Sequence, residues 1–273
     1  MRIGLIQLNS SDDPVANLPV TLGHMRQAAD EGATFVLTPE VTNFMSMDRK
    51  LAERALHHQA DDPTLATLRA EARSLSIWLL IGSLALKTGD ADGRLANRSF
   101  LINPAGEIVA HYDKIHMFDV EIDETESYRE SAGYRPGTRA VVADTDFGRI
   151  GMAICYDLRF PHLFRTLAHA GASILTIPAA FSPVTGKAHW QPLLQARAIE
   201  NGAFVLAPGQ CGHHGAKRYT HGHSLAIAPW GEVLADGGNE PGVTLVDIDL
   251  GDVSKARVRV PSITHDRNFS GPE

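Results

Sequence analysis

Cysteine is scarce in this chain, with only Cys155 and Cys211 among 273 residues. Two cannot build a disulfide framework, so both are expected as free thiols in a reducing compartment. Basic charge is short as well: 25 Lys and Arg stand against 32 Asp and Glu, for a net charge of -7. Nucleic acid and anionic membrane surfaces both demand a basic face, so neither is an expected partner. No apolar run nears the ~20 residues that span a bilayer, and the opening MRIGLIQLN enters a strand pattern without a basic leader or cleavage site. The expected location is cytoplasmic. Thirteen histidines are present, yet no Cys-x-x-Cys or His-Glu-x-x-His spacing accompanies them. A metal centre is therefore not expected, and His213, His214, His221 and His223 read as solvated loop residues.

What is present is an alternation of strand-like and helix-like runs, the signature of an α/β fold. A strand at Ile3 to Leu8 leads to a helical spacing of Leu18, Leu22, Met25 and Ala29, closed by Gly32. A second strand, Thr34 to Leu37, ends in Pro39 and Glu40. A helical stretch from Asp48 to His58 precedes a helix that starts at Asp62 as N-cap and Pro63 at its first position. Trp78 to Ile81 is the next strand, and a hairpin turns at Asn103-Pro104-Ala105-Gly106.

The second half repeats the first. RIGLIQ at Arg2 returns as RIGMAI at Arg149, GATFVLTP at Gly32 as GASILTIP at Gly171, and INPAGEIVA at Ile102 as IAPWGEVLA at Ile227. Three matches in the same order imply an internal duplication. Two α/β layers would then stack sheet against sheet, with helices outside, as one domain over residues 1–273.

Sites in such folds lie where strands end, and three chemically apt residues occupy strand ends. Glu40 follows the second strand of copy one, and Lys114 lies just beyond its hairpin. Cys155 ends an apolar run, Ile150 to Ile154, that reads as a buried strand, and from Pro161 the spacing turns helical. A thiol at its free pKa of about 8.5 is mostly protonated, so a cysteine nucleophile needs a base and a positive neighbour. Glu40 can be the base and Lys114 the charge. The amides that follow a strand-to-helix junction, Tyr156 N–H first, can hold an oxyanion. Asp157 and Arg159 read as braces of that turn, Cys211 as a packed thiol, and the stretch from Lys187 to Asn201 as a helix with an ordinary packing face.

TPE at Thr38, YDKIHMFD at Tyr112 and CYDLRFPHL at Cys155 resemble, in order and spacing, the Glu-Lys-Cys motifs of the nitrilase superfamily of carbon-nitrogen hydrolases. GKAHWQPLLQARAIEN and QCGHHGAKRYTHGHSLAIAPWGEV look like its Nit branch, which includes the deaminated glutathione amidases and the omega-amidases. The resemblance covers nearly the whole chain. It implies a four-layer αββα sandwich, a homodimer or higher homo-oligomer, and no metal or organic cofactor. It also implies a second glutamate near the pocket, which YRESAGYRPG supplies as Glu130. The implied reaction is thiol-dependent cleavage of a primary amide of a small carboxylate or α-keto acid, giving acid and ammonia. The AFVLAPGQCGHHG segment points toward the deaminated glutathione amidases, with omega-amidase or another aliphatic amidase or nitrilase as the alternative. Phe181, His189 and Gln210 are the expected substrate-binding residues, and Val41, Thr42 and Asn43 are expected to line the pocket. A catalytically silent binding partner would have no chemical need for the whole Glu40, Lys114 and Cys155 set. The polar segment from Asp252 and the tail beyond it, without clear periodicity, are expected to extend across a dimer interface.

Overall fold

The computed structural model describes residues 1–46, 48–122, 127–215 and 218–272. Copy one supplies β1 (Arg2–Gln7), β2 (Phe35–Leu37), β3 (Trp78–Lys87), β4 (Leu95–Ile102) and β5 (Ile108–Asp113), followed by a small hairpin of β6 (Asp119–Glu121) and β7 (Ser127–Arg129). Next come β8 (Val141–Thr145), β9 (Gly148–Met152), β10 (Ile174–Thr176) and β11 (Phe204–Ala207). A second small hairpin, β12 (Cys211–His214) with β13 (Arg218–His221), precedes β14 (Leu225–Ile227), β15 (Val233–Asp236) and β16 (Gly242–Asp247).

The duplication read from the sequence is visible in the strand order. One six-stranded sheet runs β16-β1-β2-β3-β4-β5 and the other runs, from its opposite edge, β8-β9-β10-β11-β14-β15. In each, the first pair is antiparallel, the next two are parallel and the last two antiparallel. The repeat did not reveal the edge strand β16. The chain's last strand returns to pair Arg2 with Asp247 through Gln7 with Gly242, and so completes the first sheet.

Helices α1 (Pro14–Asp30) and α3 (Pro63–Leu75) cover the outer face of the first sheet, with the short α2 (Arg49–Ala55) between them in sequence. Met25, Ala28, Leu65, Leu68 and Ala72 meet Ile6, Val36, Leu79 and Ile81 there. The alternate residues Ile3, Leu5, Phe35, Leu37 and Leu80 turn inward, into one core with Ile150, Met152, Ile174 and Val205 of the second sheet. Helices α4 (Pro161–His169) and α5 (Pro183–Asn201) close the far side through Leu163, Phe164, Leu167, Trp190 and Leu194. The order of layers is helix, sheet, sheet, helix. Asp62 caps α3 by accepting from Leu65 N at 2.7 Å, with Pro63 at its first position.

Two expectations are corrected. The strand before Cys155 stops at Met152 rather than Ile154, and Cys155 opens a 3-10 turn over Cys155–Arg159 with φ at 50°. The polar segment near the C-terminus holds a helix, α6 (Gly251–Arg259), seated through Val253 and Ala256. Beyond it the tail is tied to this chain's own α4, where Arg165 and His169 both bind Asp266.

Candidate active site

The sandwich brings the three strand-end residues to one place. Glu40 follows β2, Lys114 follows β5, and Cys155 follows β9, all three almost wholly buried. Lys114 Nζ lies 2.9 Å from Glu40 Oε1. It also donates to Glu130 at 3.0 and 2.8 Å, so the glutamate inferred by resemblance holds the lysine from the other side. Glu130 is itself fixed by Phe118 N–H, and Glu40 Oε2 accepts Ala180 N–H at 2.8 Å. These groups and Cys155 line one small cavity of about 50 Å³. A cavity of that size suits a reacting amide and little more.

Asp157 explains why the lysine strand and the nucleophile turn keep register. Wholly buried, it accepts from Ile154 N, just before the thiol, and from His116 N, two residues beyond Lys114. Tyr112 O–H and His116 Nδ1 complete its partners at 2.7 Å each. Asp157 is the brace expected. Arg159 is not: its guanidinium lies 5.8 Å from the Tyr156 ring centroid and 5.4 Å from that of Phe181, two rings that line the cavity. A cation over aromatic faces beside the cavity, with no carboxylate partner among the described residues, can receive an anionic substrate group.

The electrostatics place the resting proton. Burial pushes the Cys155 thiol well above its ordinary range, and the Glu40 charge adds to that against the pull of Lys114. Burial alone would raise Glu40 too, but the charge and hydrogen bond of Lys114, together with hydrogen bonds from Cys155 and Asn97, more than offset it and keep its carboxyl below the ordinary value. Lys114 is held protonated: burial opposes its charge, and the two glutamates outweigh burial. The site therefore rests as a neutral thiol beside a carboxylate and an ammonium. A carboxylate that stays ionised beside a protonated thiol is able to take the thiol's proton.

The other expected residues divide. Phe181 and Val41 line the cavity. Gln210 does not: wholly buried, its side chain is spent on Ser10 and on the Glu40 backbone carbonyl at 3.0 Å, so it braces the Glu40 loop and does not reach the cavity. Thr42 and Asn43 likewise turn inward, to Thr38, Pro39 and Ala85. His189 contacts Arg159 at 3.3 Å outside the cavity. Tyr156 lines it with its ring, and its N–H is one of the opening amides that a 3-10 turn leaves unpaired. Cys211 is buried as expected. His214 is not solvated but buried between Ser10 O and Thr220 Oγ1.

Comparison with known proteins agrees with this geometry. Residues 2–258 match the carbon-nitrogen hydrolase family. A deaminated glutathione amidase of Yersinia enterocolitica is 39% identical over 270 residues, spanning 98% of this chain and 94% of the relative. The NitFhit protein of C. elegans superposes with a TM-score of 0.90 at 34% identity, covering 97% of this chain and 65% of that one. An amidase of Nesterenkonia sp. AN1, solved as a glutamate-to-glutamine mutant after Michael addition of acrylamide at its active-site cysteine, superposes at 0.78 with 27% identity, over 96% of this chain and 98% of that one.

Proposed function

The chain belongs to the carbon-nitrogen hydrolase family, on the Nit branch of the nitrilase superfamily, and from that membership we propose that it is a thiol amidase with Cys155 as nucleophile, Glu40 as base and Lys114 as oxyanion donor. The convergence of these residues on one small cavity, with Glu130 holding the lysine, carries the reading. Cys155 attacks the amide carbonyl carbon while its proton passes to Glu40. The oxyanion is held by Lys114 and Tyr156 N–H, and such a donor at a dry site contributes about 3 kcal/mol. Glu40 returns the proton to the leaving nitrogen, the C–N bond breaks, and a thioester remains. Glu40 then takes a proton from water, the hydroxide attacks the thioester, and the acid leaves as the thiol is restored.

The substrate we propose is deaminated glutathione, on the strength of the curated relatives that carry that name. This choice changes the leaving group. Deaminated glutathione has only N-substituted amides, so an amine departs, and ammonia is expected only from a primary amide such as α-ketoglutaramate. The catalytic cavity cannot hold so long a molecule. A second cavity of about 520 Å³ shares the walls Ser46, Glu130 and Tyr134 and offers room for the remainder. Product release from both compounds, followed with wild type and with Cys155→Ala, tests the reading. Loss of all turnover at unchanged Tm is expected; turnover by Cys155→Ala would sink the mechanism, and cleavage of α-ketoglutaramate alone would move the substrate to the omega-amidase type.

We further propose a homodimer in the cytoplasm. Both cysteines are free, and no described helix is long and apolar enough to cross a membrane. Ile199, Trp230, Val258 and Val260 are apolar yet exposed, and Arg259 stacks on Trp230, an apolar strip suited to a second copy.

A further inference from the structure

Asn97 has no task in the reaction above, yet it touches both glutamates and the backbone of Lys114. It lies on β4 opposite Ala85, 2% exposed, on the wall of the catalytic cavity. Its backbone carbonyl accepts Lys114 N–H at 3.0 Å. Its side-chain nitrogen lies 2.8 Å from Glu40 Oε1 and 3.2 Å from Glu130 Oε1. Chemistry settles which way the amide faces, because a carboxylate oxygen only accepts, and the atom between two of them must be the donor. The other end is left without a partner among the described residues: Asn97 Oδ1 is buried and makes no hydrogen bond to any of them. An orphaned buried acceptor is destabilising, so packing alone does not account for this side chain.

Lone pairs show what the amide does. Each carboxylate oxygen offers about two acceptor sites. On Glu40, Oε1 is filled twice, by Lys114 Nζ and Asn97 Nδ2, whereas Oε2 accepts Ala180 N–H and, among the described backbone and amine donors, keeps a second site for the Cys155 thiol, which hydrogen-bonds this carboxylate. We propose that Asn97 is a positioning residue that closes Glu40 Oε1 to the thiol, so that the Cys155 proton is delivered to the open site on Oε2. The proposal rests on Glu40 being the base. The same donor keeps Glu40 ionised, alongside Lys114 and against burial. Besides Glu40 and Lys114, the ionisable groups around this cavity are Tyr128, Glu130, Tyr134, Cys155, Tyr156 and Arg218. Without Asn97, Oε1 regains a site, the proton has two destinations, and the carboxyl loses a donor that favours its charged form, so it titrates at higher pH.

Alkylation of Cys155 by iodoacetamide, followed by mass spectrometry of its peptide across pH, tests this without any choice of substrate. The wild-type rate is expected to rise through an acidic limb set by Glu40, and Glu40→Gln to lose that limb. Asn97→Leu is expected to move it up by ~1 pH unit and to lower the plateau about tenfold, with Tm little changed because the orphaned oxygen goes too. Asn97→Ala, which adds no bulk, supplies the same reading if the leucine does not fold. An unmoved limb in the folded variant, whatever its Tm, overturns the proposal. Retention of the limb in Glu40→Gln overturns instead the assignment of Glu40 as base.

Discussion

Buried histidines couple stability to pH in this protein, His214 most plainly, with His221 also pushed down by burial to about 4. His214 Nδ1 lies 2.8 Å from Ser10 O and Nε2 2.6 Å from Thr220 Oγ1, the pairing of a neutral ring that donates at one nitrogen and accepts at the other. Burial pushes its pKa down from 6.5 to about 4. Between those values the unfolded chain binds a proton that the folded one refuses, so stability is full above pH 6.5 and falls as pH drops toward 4. At 1.36 kcal/mol per unit the ceiling is roughly 3 kcal/mol. His214→Gln should make the fall in Tm between neutrality and pH 5 shallower, leaving the share of His221, and a profile as steep as wild type would remove the assignment. His214 lay in a Gly-rich, polar string, and such strings read as loops; only the pairing of β12 with β13 buries it. The convergence of Glu40, Lys114 and Cys155 was legible because thiol chemistry calls for a carboxylate and a cation beside the sulfur, and each of the three follows a strand. Asn97 was not, since one polar residue in the run LANRSFLI carries no sign of the carboxylates it will meet.

Elements were legible where the period was long and blurred where the backbone departs from it. The third strand was expected to stop at Ile81, yet β3 runs on to Lys87 across a bulge between Ile81 and Leu84. Gly82 makes that possible. A Cβ there would lie 2.0 Å from Thr38 O, 2.6 Å from Pro39 O and 2.6 Å from Pro178 Cβ. The bulge is thus the place where the loop carrying Glu40 meets its duplicate from the second copy, and Ser83 Oγ accepts the Val41 N–H there. Gly82→Ala cannot be absorbed by a side-chain shift, because two of the three atoms are backbone. It should destabilise by about 2–4 kcal/mol and, by pushing residues 38–41 outward, lower activity more than Tm alone explains. Wild-type kcat in this variant would show that the base loop does not depend on the bulge. Helix α6 stayed hidden for a different reason: only Val253 and Ala256 are buried along it, too few to print a period.

At the scale of the molecule, the first sheet belongs to both ends of the chain. Met1 N donates to Ile248 O at 2.7 Å, and β16 must arrive from the far end before the first sheet has its last neighbour. The shared core leaves no seam: Leu5 and Leu37 pack in the same cluster as Met152 and Val205. The duplication therefore does not amount to two folding units. We infer one domain, whose two halves lose their inner face together, and two copies of which cover the strip around Trp230. Calorimetry at two protein concentrations tests both inferences at once. One peak is expected, and its Tm should rise with concentration, because association stabilises the folded state by mass action. Two resolved transitions would show that the halves unfold apart, and a single peak fixed in temperature over a hundredfold dilution would leave the one-domain reading standing and remove the dimer.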